Sequence, residues 1–239
     1  MSDSAKPRVL VCDDETQILR ALRVILRDAG FEALPASTGE EALDLAAVSR
    51  PDAAILDLVL PDIDGIELCR RLREWTDMPV IVLSAVGDED AKVRALAAGA
   101  DDYVTKPFGP RELIARLQAN LRRIDPEPEQ SLIVSGELSV DLAARRVTLG
   151  GEELHLTPTE FDLLRLLVRN RGRLMTHRDL LTGVWGAGYG NDTQVLRAHI
   201  ANLRRKIEPD GRAGAGVGAV AGGHQFIRTD PGVGYRFAG

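Results

Sequence analysis

Five short apolar runs alternate with stretches of helical periodicity through the first half of this chain, and no other feature restricts its fold so strongly. The runs are Arg8–Cys12, Ala33–Pro35 (the weakest), Ala53–Leu56, Pro79–Ser84 and Asp102–Thr105. Each is long enough for a strand and too short for a helix. The stretches after them bring apolar residues back every three or four positions. They are Ile18, Leu19, Leu22, Ile25 and Leu26 up to Gly30, then Ala42, Leu43, Leu45 and Ala46, then Ile66, Leu68, Leu72 and Trp75. Val93, Leu96 and Ala97 up to Gly99 form the fourth, and Leu113, Ile114, Leu117 and Leu121 the fifth. That spacing lines one face of a helix, and the glycines stop it. Five such units in succession predict an α/β domain whose five-stranded parallel, doubly wound sheet is covered by helices on both faces.

The alternation stops at Ile124-Asp125-Pro126-Glu127-Pro128-Glu129-Gln130, where two prolines and three acids predict an extended, solvated linker. A first domain therefore covers 1–124, a linker 125–131 and a second domain 132–239. The second domain reads as a small α+β unit. Residues 132–156 alternate as short strands, with a turn at Gly150-Gly151. Thr157-Pro158-Thr159-Glu160 has capping-box spacing with Pro at the first helical position, and Phe161, Leu164, Leu167 and Val168 form the apolar face behind it. Further helices are predicted over Arg178–Val184 and from about Thr193 to Ile207, and a hairpin over Phe226–Phe237 around Pro231-Gly232. Residues 212–223, rich in Gly and Ala, carry no structural signal.

Composition enters through charge. The whole chain has a net charge of −6, but residues 1–124 hold 16 Lys/Arg against 22 Asp/Glu, whereas 132–239 hold 14 against 11. An acidic half joined to a mildly basic one points to different partners for each, a polyanion among them. No run approaches the roughly 18 apolar residues of a membrane span. No charged-then-apolar leader precedes the first strand. Cys12 and Cys69 sit in an apolar strand and a helical pattern, as small core residues, so a reducing cytoplasm away from any membrane is expected.

Chemistry gathers at the carboxyl ends of the predicted strands. Asp13 and Asp14 follow the first, Asp57 the third, Ser84 the fourth and Lys106 the fifth. Ligands of open α/β sheets bind at those ends. Singly, each is an ordinary turn, loop or capping residue; together they converge on one pocket. Three close carboxylates call for a hard cation such as Mg²⁺, which recruits phosphate oxygens. A carboxylate can also attack phosphorus, given a cation and a hydroxyl for the phosphoryl oxygens. Lys106 precedes Pro107, so a cis peptide is available there.

With Leu60-Pro61, Asp64-Gly65, Ser84-Ala85, Gly99-Ala100-Asp101-Asp102-Tyr103 and Lys106-Pro107-Phe108, these residues resemble the receiver domain of two-component response regulators over 7–124. The resemblance implies Asp57 as phospho-acceptor from a sensor histidine kinase, with Ser84 and Lys106 on the phosphoryl oxygens. It implies Mg²⁺ on Asp14, Asp57 and the Val59 backbone carbonyl, with Asp13 acting through water. Tyr103 would swing inward on activation, with Ser84 as the other switch residue. Such a receiver catalyses only its own phosphorylation and dephosphorylation. In the winged-helix subfamily named after OmpR and PhoB, dimers form through the fourth helix, fifth strand and fifth helix. The pairs implied here are Lys92–Glu112, Asp101–Arg123 and Asp102–Arg116, each across a two-fold axis.

The helix over 193–207 contains no acid. Leu196, Ile200, Leu203 and Ile207 fall on one face. Gln194, Arg197, Ala198, Ala201, Asn202 and Arg205 fall on the other, with Arg204 and Lys206 at its flanks. Such a face suits the major groove of double-stranded DNA. The hairpin, with Arg228, Thr229 and Arg236, is similar to the wing of the same subfamily, and the loop 187–192 is similar to its RNA polymerase contact. Many members have Arg where this chain has Ala201, Asn202 or Pro231, so base contacts do not transfer directly. Leu72-Arg73-Glu74-Trp75, Pro79–Ala85 and Val195-Leu196-Arg197 resemble most the branch regulating the high-affinity Kdp potassium transporter, whose kinase is KdpD-like. Two rival readings remain. One is a Mg²⁺-dependent phosphatase using Asp57, although Val59 stands where such enzymes carry a further acid. The other is a DNA binder indifferent to phosphorylation, its first domain serving only to dimerise.

Overall fold

A computed structural model describes residues 6–85, 89–121, 132–186, 189, 192–208 and 226–238. The chain divides into two compact units, Met1–Arg122 and Arg123–Gly239.

In the first unit the elements run β1 (Arg8–Cys12), α1 (Thr16–Asp28), β2 (Glu32–Ala36), α2 (Gly39–Ser49), β3 (Ala53–Asp57) and α3 (Gly65–Arg73). β4 (Val80–Ala85), α4 (Glu89–Ala97), β5 (Asp102–Lys106) and α5 (Pro110–Leu121) complete it. All five strands are parallel, in the order β2-β1-β3-β4-β5. Alternate strand residues sort to the two faces. Val9, Val11, Ala53, Ile55, Ile81, Leu83 and Val104 meet Leu22 and Leu26 of α1 and Leu113 and Leu117 of α5. Helices α2, α3 and α4 contact the sheet as neighbours of one another. Every residue of β3 is buried, which explains its continuous apolar run. Leu22 and Leu26 have no exposed surface, and burying each contributes about 1.5–3 kcal/mol.

Two helical stripes differ from the sequence expectation. Helix α3 ends at Arg73, and Trp75 lies beyond it with 49% exposure. In α4 the buried residues are Ala91, Lys92, Ala95 and Leu96, while Val93 is exposed. Small alanines carry that packing, and three apolar residues cannot set the phase of a nine-residue helix.

The second unit opens with an antiparallel sheet in the order β6 (Leu132–Ser135), β7 (Leu138–Asp141), β8 (Arg146–Leu149) and β9 (Glu152–Leu154). Gly150 and Gly151 join the last two strands with φ of 61° and 86°, a turn that only two left-handed residues allow. Then come α6 (Pro158–Arg169), β10 (Leu174–Thr176), α7 (His177–Trp185), α8 (Thr193–Ile207), β11 (Ile227–Asp230) and β12 (Gly234–Phe237). Both halves of the Thr157/Glu160 capping box are formed, and Thr176/Asp179 makes a second one at α7. The terminal hairpin is in fact a three-stranded sheet, β10-β12-β11. Three residues of β10 are too few to show a period in sequence, and their pairing with β12 is long-range. Residues 122–131 and 209–225, which include the linker, Arg123 and the Gly/Ala-rich stretch, lie outside the described residues. Among the described residues no helix is long and apolar enough to cross a membrane.

Candidate functional site

The strand order puts β1 beside β3, so the acids at their carboxyl ends meet. Asp13, Asp14 and Asp57 bring carboxylate oxygens within 4.8 Å of one another. Asp13 and Asp57 are buried and Asp14 is exposed. Lys106 ends β5 and Ser84 lies inside β4, so both belong to the strands rather than following them. The Lys106 amine donates to Asp13 Oδ2 at 2.7 Å and to Asp57 Oδ2 at 2.8 Å. The Lys106-Pro107 peptide is cis. Asp57 Oδ1 accepts the Leu58 amide at 2.8 Å, and Asp13 Oδ1 the Glu15 amide at 2.9 Å. Burial pushes the Asp13 carboxyl above its usual range, although Lys106 and the Glu15 amide pull it down. Burial also works against the Lys106 charge, but hydrogen bonds to Asp13 and Asp57 override it and hold the amine above its usual value. The Ser84 hydroxyl is buried and has no hydrogen-bond partner among the described residues. An all-oxygen donor set of this kind suits a hard divalent cation, and an orphaned buried hydroxyl suits an incoming acceptor oxygen.

The loop from Asp57 to α3 is tightly folded. A Cβ on Gly65 would collide with the Asp57 carbonyl, and the Gly65 amide donates to the Leu58 carbonyl at 2.9 Å. Asp64 caps α3 through the Ile66 amide. Asp62, which the sequence reading passed over, accepts the amides of Glu40 and Gly39 at 2.9 Å each; those bonds hold its carboxyl below the usual range. It ties the loop to the start of α2. Nothing local in Pro61-Asp62-Ile63 marks that contact, because its partners are 22 and 23 residues away. Val59 lies in this loop with its side chain exposed. Beneath the pocket, burial and nearby Asp62 push the Cys12 thiol up to about 12, so it stays an inert core group.

Apart from Arg123, which lies outside the described residues, the charged residues expected across a two-fold axis are paired inside the single chain. Lys92 donates to Glu89 at 2.8 Å rather than waiting for Glu112, and its ammonium lies 4.9 Å from the centroid of the Tyr103 ring. Tyr103 is buried. Arg116 bridges Asp102 and Glu112, both at 3.0 Å. Asp101, expected at the surface, has no exposed area. Arg73 binds its Oδ2 at 2.5 Å, and the Val80 amide donates to the same oxygen at 2.8 Å. Arg73 also donates to the carbonyls of Gly99 and Met78, at 2.8 and 2.5 Å. The sequence reading missed Arg73 because Arg70 and Arg71 beside it look the same.

In the second unit α8 buries Leu196, Ile200, Leu203 and Ile207 as predicted, together with Val195 and His199. Gln194, Arg197, Ala201 and Arg205 are exposed along the outer face, and Arg228 and Thr229 along β11. Three residues expected to contact DNA, Asn202 on the outer face and Arg204 and Lys206 on its flanks, are placed otherwise. Asn202 is buried, and its Oδ1 accepts from Arg205. Arg204 turns to the hairpin, donating to the Ile227 carbonyl at 2.6 Å and the Thr229 hydroxyl at 2.9 Å. Lys206 pairs with Glu160 of the α6 capping box at 2.6 Å. A helical wheel gives their angles but not which neighbouring element fills the space. Arg236 is half-exposed, 3.4 Å from Asp230. Of the loop 187–192 only Tyr189 and Asp192 are described, and Tyr189 packs on Trp185.

Residues 9–118 match the family described as "Response regulator receiver domain", and 151–237 match "Transcriptional regulatory protein, C terminal". The chain is 49% identical to the "Transcriptional regulatory protein KdpE" of Mycobacterium tuberculosis (strain ATCC 25618 / H37Rv), over 96% of this chain and 98% of that protein. It is 46% identical to the "KDP operon transcriptional regulatory protein KdpE" of Escherichia coli (strain K12), again over 96% and 98%. Among solved structures, "Response Regulator DrrB, a Thermotoga maritima OmpR/PhoB Homolog" is 32% identical with a TM-score of 0.50, covering 98% of this chain and 100% of that one. Near-full-length identity of this order, on a chain that joins both domains, places it in a family: the protein belongs to the OmpR/PhoB-type response regulators of two-component systems, with a receiver domain followed by a winged-helix DNA-binding domain.

Proposed function

We propose that a KdpD-like sensor histidine kinase phosphorylates Asp57, that the phosphorylated chain dimerises, and that the dimer controls promoters of a potassium-uptake operon. The Lys106 amine between Asp13 and Asp57, beside the partnerless Ser84 hydroxyl, carries this reading. In the transfer, an Asp57 carboxylate oxygen forms the bond to phosphorus while the bond to the kinase's imidazole nitrogen breaks. Lys106 compensates the added negative charge and Ser84 donates to a phosphoryl oxygen. Asp13, Asp14, Asp57 and the Val59 carbonyl would hold Mg²⁺, which neutralises phosphoryl charge when bound. Lys92, Asp101, Asp102, Glu112, Arg116 and Arg123 would exchange partners within the chain for partners across the dimer, with Tyr103 and Ser84 as the switch. Asp101 and Asp102 are buried, so exchanging their partners repositions buried charge rather than pairing exposed side chains. Gln194, Arg197, Ala201 and Arg205 would face the major groove, with Arg228, Thr229 and Arg236 on the wing. The loop 187–192 would meet RNA polymerase, all in the cytoplasm. KDP is the operon printed in the name of the Escherichia coli relative, and the identity to it supports the same regulon here.

The test is binding to the promoter region of the potassium-uptake genes, with and without acetyl phosphate or beryllofluoride. Affinity should rise about 5–150-fold, the usual range of coupling between sites, and Asp57→Asn should abolish the rise. Unchanged affinity while mass spectrometry finds Asp57 phosphorylated would leave a DNA binder indifferent to its receiver.

A further inference from the structure

Arg204 and Glu208 stand one turn apart at the end of α8, and both reach the same strand. The Arg204 guanidinium donates to the Ile227 carbonyl (2.6 Å) and the Thr229 hydroxyl (2.9 Å) and lies 5.7 Å from the centroid of the Tyr235 ring. Glu208 Oε1 accepts the amides of Phe226 and Ile227, at 2.6 and 2.9 Å. The four bonds fasten the start of β11 to the end of the helix. Arg236 and Asp230 brace the hairpin from within, and the Phe226 and Phe237 rings stack beneath it. Arg205, the next residue along, stays exposed. Two adjacent arginines thus face different tasks.

We propose that Arg204 is a positioning residue for DNA binding: with Glu208 it clamps the wing strand to the recognition helix, so that Arg228 and Arg197 meet DNA together, and it does not itself contact a phosphate. This rests on the DNA-binding reading of α8 and the hairpin. The guanidinium is half-buried, and that burial lowers its pKa. A two-point clamp also fits the chemistry of its members. The Nη2 nitrogen of Arg204 carries two N–H groups for its two acceptors, and one Glu208 carboxylate oxygen accepts two amides at the start of the strand.

The clamp and a direct phosphate contact predict opposite results for the acid. Glu208→Ala removes a negative charge from the domain, so simple electrostatics makes binding to a polyanion tighter or unchanged. The clamp makes it weaker. The experiment measures the affinity of the full, acetyl phosphate-treated chain for a duplex selected by the unsubstituted protein, with thermal unfolding of each variant as the check on folding. Arg204→Ala and Glu208→Ala should each weaken binding by about tenfold. Thr229→Val, which removes one acceptor at the surface and spares the helix, should weaken it by a smaller factor. In an Arg228→Ala background, where the wing has lost its exposed cation, the Arg204→Ala loss should shrink to under about twofold, since coupled residues are not additive. A general loss of folding would not shrink in that way. Unchanged or tighter binding by Glu208→Ala, or an Arg204→Ala loss undiminished in the Arg228→Ala background, overturns the proposal. Arg197→Ala is the separate control for the underlying reading: if it binds as well as the unsubstituted chain, the recognition face is misassigned whatever Arg204 does.

Discussion

Arg73→Ala is expected to destabilise the receiver unit by about 3–5 kcal/mol, the usual cost of leaving one partner of a buried ion pair alone. Asp101 is fully enclosed and Arg73 nearly so, with side-chain exposures of 0% and 8%. The guanidinium also supplies donors to the Gly99 and Met78 carbonyls, so its loss strips partners from three elements at once. The end of α3, the start of β4 and the turn before β5 would all loosen. Against a total stability of about 5–15 kcal/mol for a typical domain, that is a large share. Urea unfolding of the isolated variant and of Arg73→Ala/Asp101→Asn checks the cause. Asn keeps an acceptor for the Val80 amide without the charge, so the double variant should be more stable than Arg73→Ala alone. A single-variant loss below about 1 kcal/mol, in the range of exposed pairs, would mean that solvent reaches Asp101 and the clamp is unimportant.

Lys106→Met should slow phosphorylation of Asp57 by acetyl phosphate about 10²–10³-fold, the effect of deleting one preorganised donor to developing charge. The same change should alter how stability depends on pH. Lys106 is held above its usual 10.5, despite burial, by Asp13 and Asp57. A folded-state pKa raised in this way contributes stability that is fully present below the unfolded value and is lost as pH rises through the folded one. The unsubstituted receiver should therefore weaken above about pH 10.5, the ordinary lysine range, and the Met variant should show none of that alkaline loss. At neutral pH the variant should be less stable, because Asp13 and Asp57 face each other uncompensated. Mg²⁺ should recover more stability in the variant than in the parent, since binding to the folded state stabilises by mass action. Phosphorylation followed by mass spectrometry, and urea midpoints with and without Mg²⁺, read both effects. A rate within tenfold of the parent would remove Lys106 from the transfer step.

The two predictions differ in how much of each the sequence could have shown. Lys106 was legible because it sits at a strand end, where five βα units force five strand ends to one side of the sheet. Asp13, Asp57 and Ser84 were found by the same rule, and the contacts of Asp13 and Asp57 with Lys106 follow from strand order. Arg73 was not legible. It shares its helix turn with Arg70 and Arg71, and only the fold decides that one of the three points inward at a buried acid 28 residues away. Asp62 and the Arg204–Glu208 clamp are the same kind of case. Each is a charged residue in ordinary company whose partner is distant in sequence.

What this chain's sequence determined by itself was the set of elements and the chemistry at their ends. Apolar periodicity, capping pairs such as Thr157/Glu160, and turn residues such as Gly150-Gly151 act over a few residues, so a linear reading recovers them. What only the tertiary structure decided was the pairing of charges. It buried Asp101 and Asn202, turned Arg204 to the wing and Lys206 to Glu160, and added β10 to the hairpin. Those outcomes depend on which surfaces are brought together. A charge takes the partner that packing places within reach, and no local pattern records that choice.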